Sequence, residues 1–261
     1  MFIDTHCHLD AAEFGDTQDA LVAAALAAGV SGMVLPSVEA ANFASVQKLC
    51  SRYAACAPAY GIHPMYMERA TPADLAALLQ YIKYNQAVAI GEIGLDFFVA
   101  DIDREKQEYY FAAQLKLAQE YELPVLLHMR KAQDTILKHL RRTPVRGGIA
   151  HAFNGSPQQA AEFIKLGFKL GFGGAMTYPR ATRLRELAAT LPLDCIVLET
   201  DAPDIPPEFL QRGEPNHPSC LPRIAETLAA LRKLPLEEIA RITTANALAV
   251  LPRLSKHFTR P

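Results

Sequence analysis

Six residues of this chain carry side chains suited to holding a divalent cation: His6, His8, Glu92, His128, His151 and Asp201. The first two close the run Asp4-Thr5-His6-Cys7-His8. With Phe2 and Ile3 before it, this run reads as a short buried strand. Strand side chains alternate faces, which puts His6 and His8 on one face, one period apart, where two neutral imidazoles can converge on one ion. The other four fall at or just beyond apolar runs: Ala87 to Glu92, Pro124 to His128, Gly147 to His151, and Cys195 to Thr200 followed by Asp201. Any one of them has a plain explanation, such as a satisfied core histidine or a helix-capping aspartate. Ionisable groups at the ends of apolar strands are costly unless paired or metal-bound, so their recurrence on five strand ends points to a metal centre. Mixed imidazole and carboxylate donors suit Zn²⁺, Mn²⁺ or similar cations and leave positions open for water. Six donors exceed one tetrahedral ion and fit two ions about 3.5–4 Å apart with a shared carboxylate. Glu92 is the expected bridge, because it projects from the strand opposite His6 and His8.

The elements that must position these groups follow a regular rhythm. Strands are expected at the N-terminus and over 32–36, 56–62, 87–92, 124–128, 147–151, 168–172 and 195–200. Helices are expected over 17–28, 39–53, from Thr71, and over 103–121, 131–141, 156–167, 180–190, 219–232 and 236–250. Gly29 suits the left-handed position after a helix, and Thr71-Pro72-Ala73-Asp74 carries the cap, N1 proline and N3 carboxylate of a helix start. Eight short apolar strands alternating with helices at a spacing near 30 residues give the pattern of a (β/α)8 TIM-like barrel, for which about 250 residues is typical. A doubly wound open sheet is the competing α/β architecture. In a barrel the strand C-termini share one face, so the metal site is expected there. No linker or composition shift breaks the chain, and residues 1–261 are expected to form a single barrel domain.

The chain is 50% hydrophobic and 21% charged, with a formal net charge of −2. That excludes a general basic surface holding nucleic acid by counterion release. A phosphate-bearing substrate would need its positive counterpart locally, for example from metal ions. The five cysteines are odd in number and form no C-x-x-C pair, which argues against a disulfide framework or a zinc knuckle. With no signal-peptide pattern and no apolar run long enough for a bilayer, a cytoplasmic protein without membrane association or an obligate protein partner is expected.

The segments Phe2–Asp10, Gly61–Pro64, Gly91–Phe97, Leu123–Arg130, His151–Gly155, Gly173–Ala181 and Leu198–Pro203 together resemble the TatD family of metal-dependent hydrolases, within the amidohydrolase-like barrels. They span nearly the whole chain in the family's order. The resemblance implies a TIM-like barrel with a divalent metal centre, the six donors falling on the family's ligand positions. It also implies a metal-dependent nuclease, of a family in which several members are 3′→5′ exonucleases on DNA. Two departures, Met129 after the strand-five histidine and His217 within Asn216-His217-Pro218, are expected near the substrate rim.

On this reading the cofactors are two divalent ions (Zn, Mn or Mg) and the substrate is DNA or another phosphodiester. Catalysis falls to Glu92 and Asp201, with Asp201 also accepting the proton of the attacking water. His63, Arg130 and Arg180 are the candidates for phosphate contacts. Asp96 is a candidate for orienting a ligand histidine from behind. Glu199 shares a face with Asp201 and reads as a rim group or one standing behind the ligands, with no chemical role assigned. The alternatives are an amide or ester hydrolase, such as a D-aminoacyl-tRNA deacylase, a non-catalytic metal-binding protein, and an accessory role in protein export.

Overall fold

The structure, a computed structural model, describes residues 1–99 and 102–258. Residues 100, 101 and 259–261 of the expected 1–261 unit lie outside the described residues. Eight strands form one sheet in sequential order: β1 (Phe2–Asp4), β2 (Val30–Pro36), β3 (Cys56–Tyr60), β4 (Ala89–Asp96), β5 (Val125–Arg130), β6 (Gly148–Ala150), β7 (Phe168–Phe172) and β8 (Ile196–Leu198). Every neighbouring pair is parallel. Between β8 and β1 the sheet closes through single bonds: Thr5 donates its amide to Leu198 O (3.1 Å), and Asp201 donates its amide to His6 O (2.8 Å). The expected TIM-like barrel is the observed fold.

The outer helices are α1 (Gln18–Ala27), α2 (Phe43–Arg52), α3 (Pro72–Tyr84), α4 (Arg104–Glu120), α5 (Gln133–Arg142), α6 (Pro157–Lys165), α7 (Thr182–Thr190), α8 (Leu221–Arg232), α9 (Leu236–Val250) and α10 (Pro252–Phe258). Their starts follow local chemistry. Thr71 and Asp74 form a capping box on α3, Asp103 accepts the Lys106 amide on α4, and Ser156 with Gln159 caps α6. Gly29 takes φ +89° after α1, as its place in the sequence predicted.

Two strands run further than the sequence suggested. β4 continues to Asp96 and β5 to Arg130, with Gly94 level with His128 and Asp96 level with Arg130. The register shifts between Ile90 and Ile93, an irregularity that re-aims the intervening residues. Gly94 is required here: at φ +153°, a methyl group on it would overlap the His128 carbonyl. Glu92 and His128 therefore sit within strands rather than at their ends.

The floor of the barrel is apolar. Ile3, Val34, Ala57, Ala59, Val88, Leu126, Ile149 and Val197 pack with Val250, Leu251 and Leu254 of the C-terminal helical segment. The helix α10, which the sequence reading did not foresee, restarts at Pro252 and places Phe258 against Gly32.

Candidate metal centre

The floor residues fix where the chemistry sits, because strand side chains return to the same face every second residue. Two residues beyond Leu126 on β5 comes His128, then Arg130. Two beyond Ile149 comes His151, and two beyond Val197 comes Glu199. Each of these strands thus carries an apolar side chain in the floor and a polar one a step higher. β1 breaks the rule: Ile3 is in the floor, yet His6 and His8, an even distance from Asp4, face the site. A buried clasp sets this turn. Asp4 Oδ1 accepts the amides of His6 (3.2 Å) and Thr200 (3.0 Å), and its Oδ2 accepts the Thr200 hydroxyl (2.5 Å). Asn216 Nδ2 donates to Thr200 O at 2.6 Å. Thr200, next to Asp201, is thereby tied to the end of β1, two residues before His6, and Asp201 itself adopts φ +60°.

Glu92, 3% exposed, lies at the centre of the donor atoms. Its Oε2 is 3.1 Å from His6 Nε2 and 3.7 Å from His8 Nε2, while its Oε1 is 3.0 Å from His128 Nδ1 and 3.5 Å from His63 Nε2. One carboxylate oxygen faces each group. Asp201 Oδ1 is 3.6 Å from His8 Nε2, 3.7 Å from His6 Nε2 and 3.3 Å from His151 Nε2. Three overlapping sets of donors result: His6, His8 and Asp201; His6, Glu92 and His151; His63, Glu92 and His128.

These residues fit a divalent cation. His6 Nε2 and His8 Nε2 face each other at 3.2 Å, where a single proton at most lies between them, and both also face carboxylate oxygens. Burial, with the neighbouring His151, lowers the His6 pKa, which keeps its lone pair free. Burial alone would also lower His8, but the Asp201 and Glu92 carboxylates outweigh it and raise His8 to about 9. Burial opposes charge on Glu92 too; the adjacent His63 and His6 overcome it and hold the carboxyl well below its usual range. Burial is likewise outweighed at Asp201, where His151 lowers the pKa. Two ionised carboxylates, with imidazoles whose protons a bound cation would displace, suit a borderline cation.

The six expected donors are thus brought together, and Asp96 reaches His128 Nε2 at 3.1 Å as anticipated. His63 lies deeper than a rim contact: it is 6% exposed, and its ring centroid is 4.2 Å from that of His128. Its Nδ1 accepts the Met65 amide at 3.1 Å, so its neutral ring carries the proton on Nε2. Arg130 lines the open cavity above the donors, which measures about 1540 Å³, together with Arg69, Lys131 and Arg183. Arg180 does not line it; it lines a separate depression with Tyr178 and Arg212. Of the two family departures, Met129 lines the cavity, whereas His217 does not and has its Nδ1 2.7 Å from Ser219 Oγ; the adjacent Asn216 is buried and bonds to backbone. Sequence reasoning left Asp4, Thr200 and Phe98 without roles. Phe98 is 50% exposed at the mouth, with the Arg130 guanidinium 3.7 Å from its ring centroid. An aromatic pair after a polar strand end was its one visible signal.

Comparison with known proteins fits this geometry. Residues 3–252 match the family model described as TatD related DNase. An uncharacterized metal-dependent hydrolase of Escherichia coli, YjjV, is 44% identical over 94% of this chain and 95% of its own length. A Klebsiella pneumoniae protein named 3'-5' ssDNA/RNA exonuclease TatD is 34% identical over 93% of this chain and 95% of its own. The crystal structure of Escherichia coli YjjV, a TatD homologue, superposes with a TM-score of 0.92 at 42% identity, covering 96% of this chain and 98% of that one. The chain belongs to the TatD-related DNase family and is a metal-dependent hydrolase.

Proposed function

We propose that this hydrolase cleaves phosphodiesters in nucleic acid, as a deoxyribonuclease of the 3′→5′ exonuclease type, with two divalent cations held by His6, His8, Glu92, His128, His151 and Asp201. The observation that carries the reading is the cavity above the donors. At about 1540 Å³ it exceeds the roughly 300–1,000 Å³ of ordinary small-molecule pockets. Arg130, Lys131 and Arg183 line it without an ion-pair partner among the described residues, while Arg69 pairs with Glu39, and Asp10, Glu13 and Asp204 line it too. An extended anionic substrate accounts for both features. The polarity follows the name of the Klebsiella relative.

When bound, the cations supply Lewis acidity, acidifying water and neutralising the phosphodiester. Glu92 presents one oxygen to each donor group, which supports it as the residue the two cations would share. Asp201, ionised and partly accessible, accepts the proton from the attacking water. His63 is a donor rather than a ligand, because the Met65 amide occupies its Nδ1 and leaves Nε2–H to offer. Burial, with the nearby His128, lowers the His63 pKa to about 4, so it donates as a neutral ring. Arg130 contacts phosphate beside the exposed Phe98 ring, a pairing of charge and aromatic face suited to unpaired nucleotides.

The test is hydrolysis of end-labelled single-stranded DNA with Mg²⁺, Mn²⁺ or Zn²⁺, with His6→Ala as the control. Stepwise shortening from the 3′ end, lost in the control, is expected. Absence of cleavage with every metal, alongside stoichiometric metal binding, would overturn the nuclease reading in favour of an ester, amide or aminoacyl-tRNA substrate.

A further inference from the structure

Glu199 is 1% exposed inside the barrel, one step above Val197 of the floor. Its Oε1 accepts the Ala152 amide at 2.6 Å and stands 3.0 Å from His151 Nδ1. The approach to Nδ1 is off-axis, and among the described residues that nitrogen has no other partner. The second oxygen, Oε2, has no hydrogen-bond partner among the described residues. The neighbouring strand is hollowed out to admit the carboxylate: a methyl group on Gly171 would overlap Glu199 Oε2, and one on Gly173 would lie 2.8 Å from Glu199 O. Among the described residues no lysine or arginine forms an ion pair with Glu199; its one ionisable partner is His151.

A buried carboxylate with an orphaned oxygen costs free energy, and a glutamine would satisfy the Ala152 amide equally well. What a glutamine would lack is the negative charge beside His151. The opposite ring nitrogen, Nε2, faces Asp201 Oδ1 at 3.3 Å, so the carboxylate sits directly behind a nitrogen aimed at the donor cluster.

We propose that Glu199 is a positioning residue: it holds His151 in the Nδ1–H tautomer, with its Nε2 lone pair turned to the cation shared with Asp201 and Glu92. The arrangement is the carboxylate–histidine–metal pattern, in which the outer carboxylate fixes the ring and raises its basicity. This rests on the reading of His151 as a ligand. Asp96 does for His128 what Glu199 does for His151, one carboxylate behind the histidine on β5 and one behind the histidine just past β6.

The experiment measures Zn²⁺ affinity by competition with a chromophoric chelator, for the wild type, Glu199→Gln and His151→Ala, with melting temperature as the check on folding. Glu199→Gln is expected to weaken one of the zinc sites about 10–100-fold while melting without zinc within a few degrees of the wild type. Unchanged affinity in Glu199→Gln with weakened affinity in His151→Ala overturns the role of Glu199 alone. Unchanged affinity in both overturns the ligand reading with it. Should Glu199→Gln fail to fold, long-range ¹H–¹⁵N spectra of the zinc-loaded wild type decide the matter: a proton on His151 Nδ1 is expected, and a proton on Nε2 overturns the proposal.

Discussion

Along β5, Leu126 packs in the apolar floor while His128, two residues further, faces the carboxylates of Glu92 and Asp96. The same step separates Ile149 from His151 and Val197 from Glu199. At the floor, α9 and α10 seal the barrel with Val250, Leu251 and Leu254, and each Å² of apolar surface buried there contributes about 25 cal/mol. At the mouth the same strands hold desolvated imidazoles and carboxylates whose burial costs stability until a cation joins them. Stability and chemistry are thus separated along the strand axis by a single alternation of side chains, and substitutions at the two ends should have separable effects.

The largest effect is expected from Asp201→Asn. It keeps the shape of the side chain but removes the carboxylate proposed to accept the proton, and turnover should fall by at least about 10³-fold. Its melting temperature should stay within a few degrees of the wild type; full activity in this variant would remove Asp201 from the chemistry. Leu254→Ala at the floor should do the opposite. It leaves a cavity among Ile3, Val34 and Leu126 and should cost about 2–5 kcal/mol of stability, read by denaturant titration. Activity per folded molecule should remain within about twofold, and a selective loss of turnover would show that the two ends are coupled.

Two further variants sharpen the comparison within the polar end. Arg130→Ala should raise KM for an oligonucleotide about tenfold with a smaller change in kcat, since its guanidinium lines the cavity beside Phe98. Arg180→Ala, in the neighbouring depression with Tyr178 and Arg212, should change either constant by less than about twofold. Steady-state kinetics on one single-stranded substrate reads both, and a larger loss at Arg180 than at Arg130 would place the substrate path over the other depression.

The residues that the sequence marked most clearly are those with a strand pattern behind them. His128 and His151 follow apolar runs whose alternation decides which way they point. Glu199 had the same pattern, but strand β8 alone cannot show that its partner would be His151, 48 positions earlier, or that Gly171 would leave it room. Arg180 and Asn216 show the reverse. Arg180 sits in a segment that resembles the family and Asn216 in one that departs from it, yet loop geometry turns one into a separate depression and the other into a buried backbone clasp. Loops carry no period from which direction can be read.

By itself the sequence determined the eight-fold alternation of apolar strands and capped helices, because burial and capping act over a few residues. It also marked the six candidate donors that the fold brings together, because imidazoles and carboxylates beside apolar runs stand out from their surroundings. The tertiary structure alone decided how the donors divide around Glu92, that Asp4 and Thr200 bind β1 to β8, and that His63 presents its Nε2 proton to the site. These depend on distances between strands far apart in the chain, which closure of the barrel sets and no local pattern records.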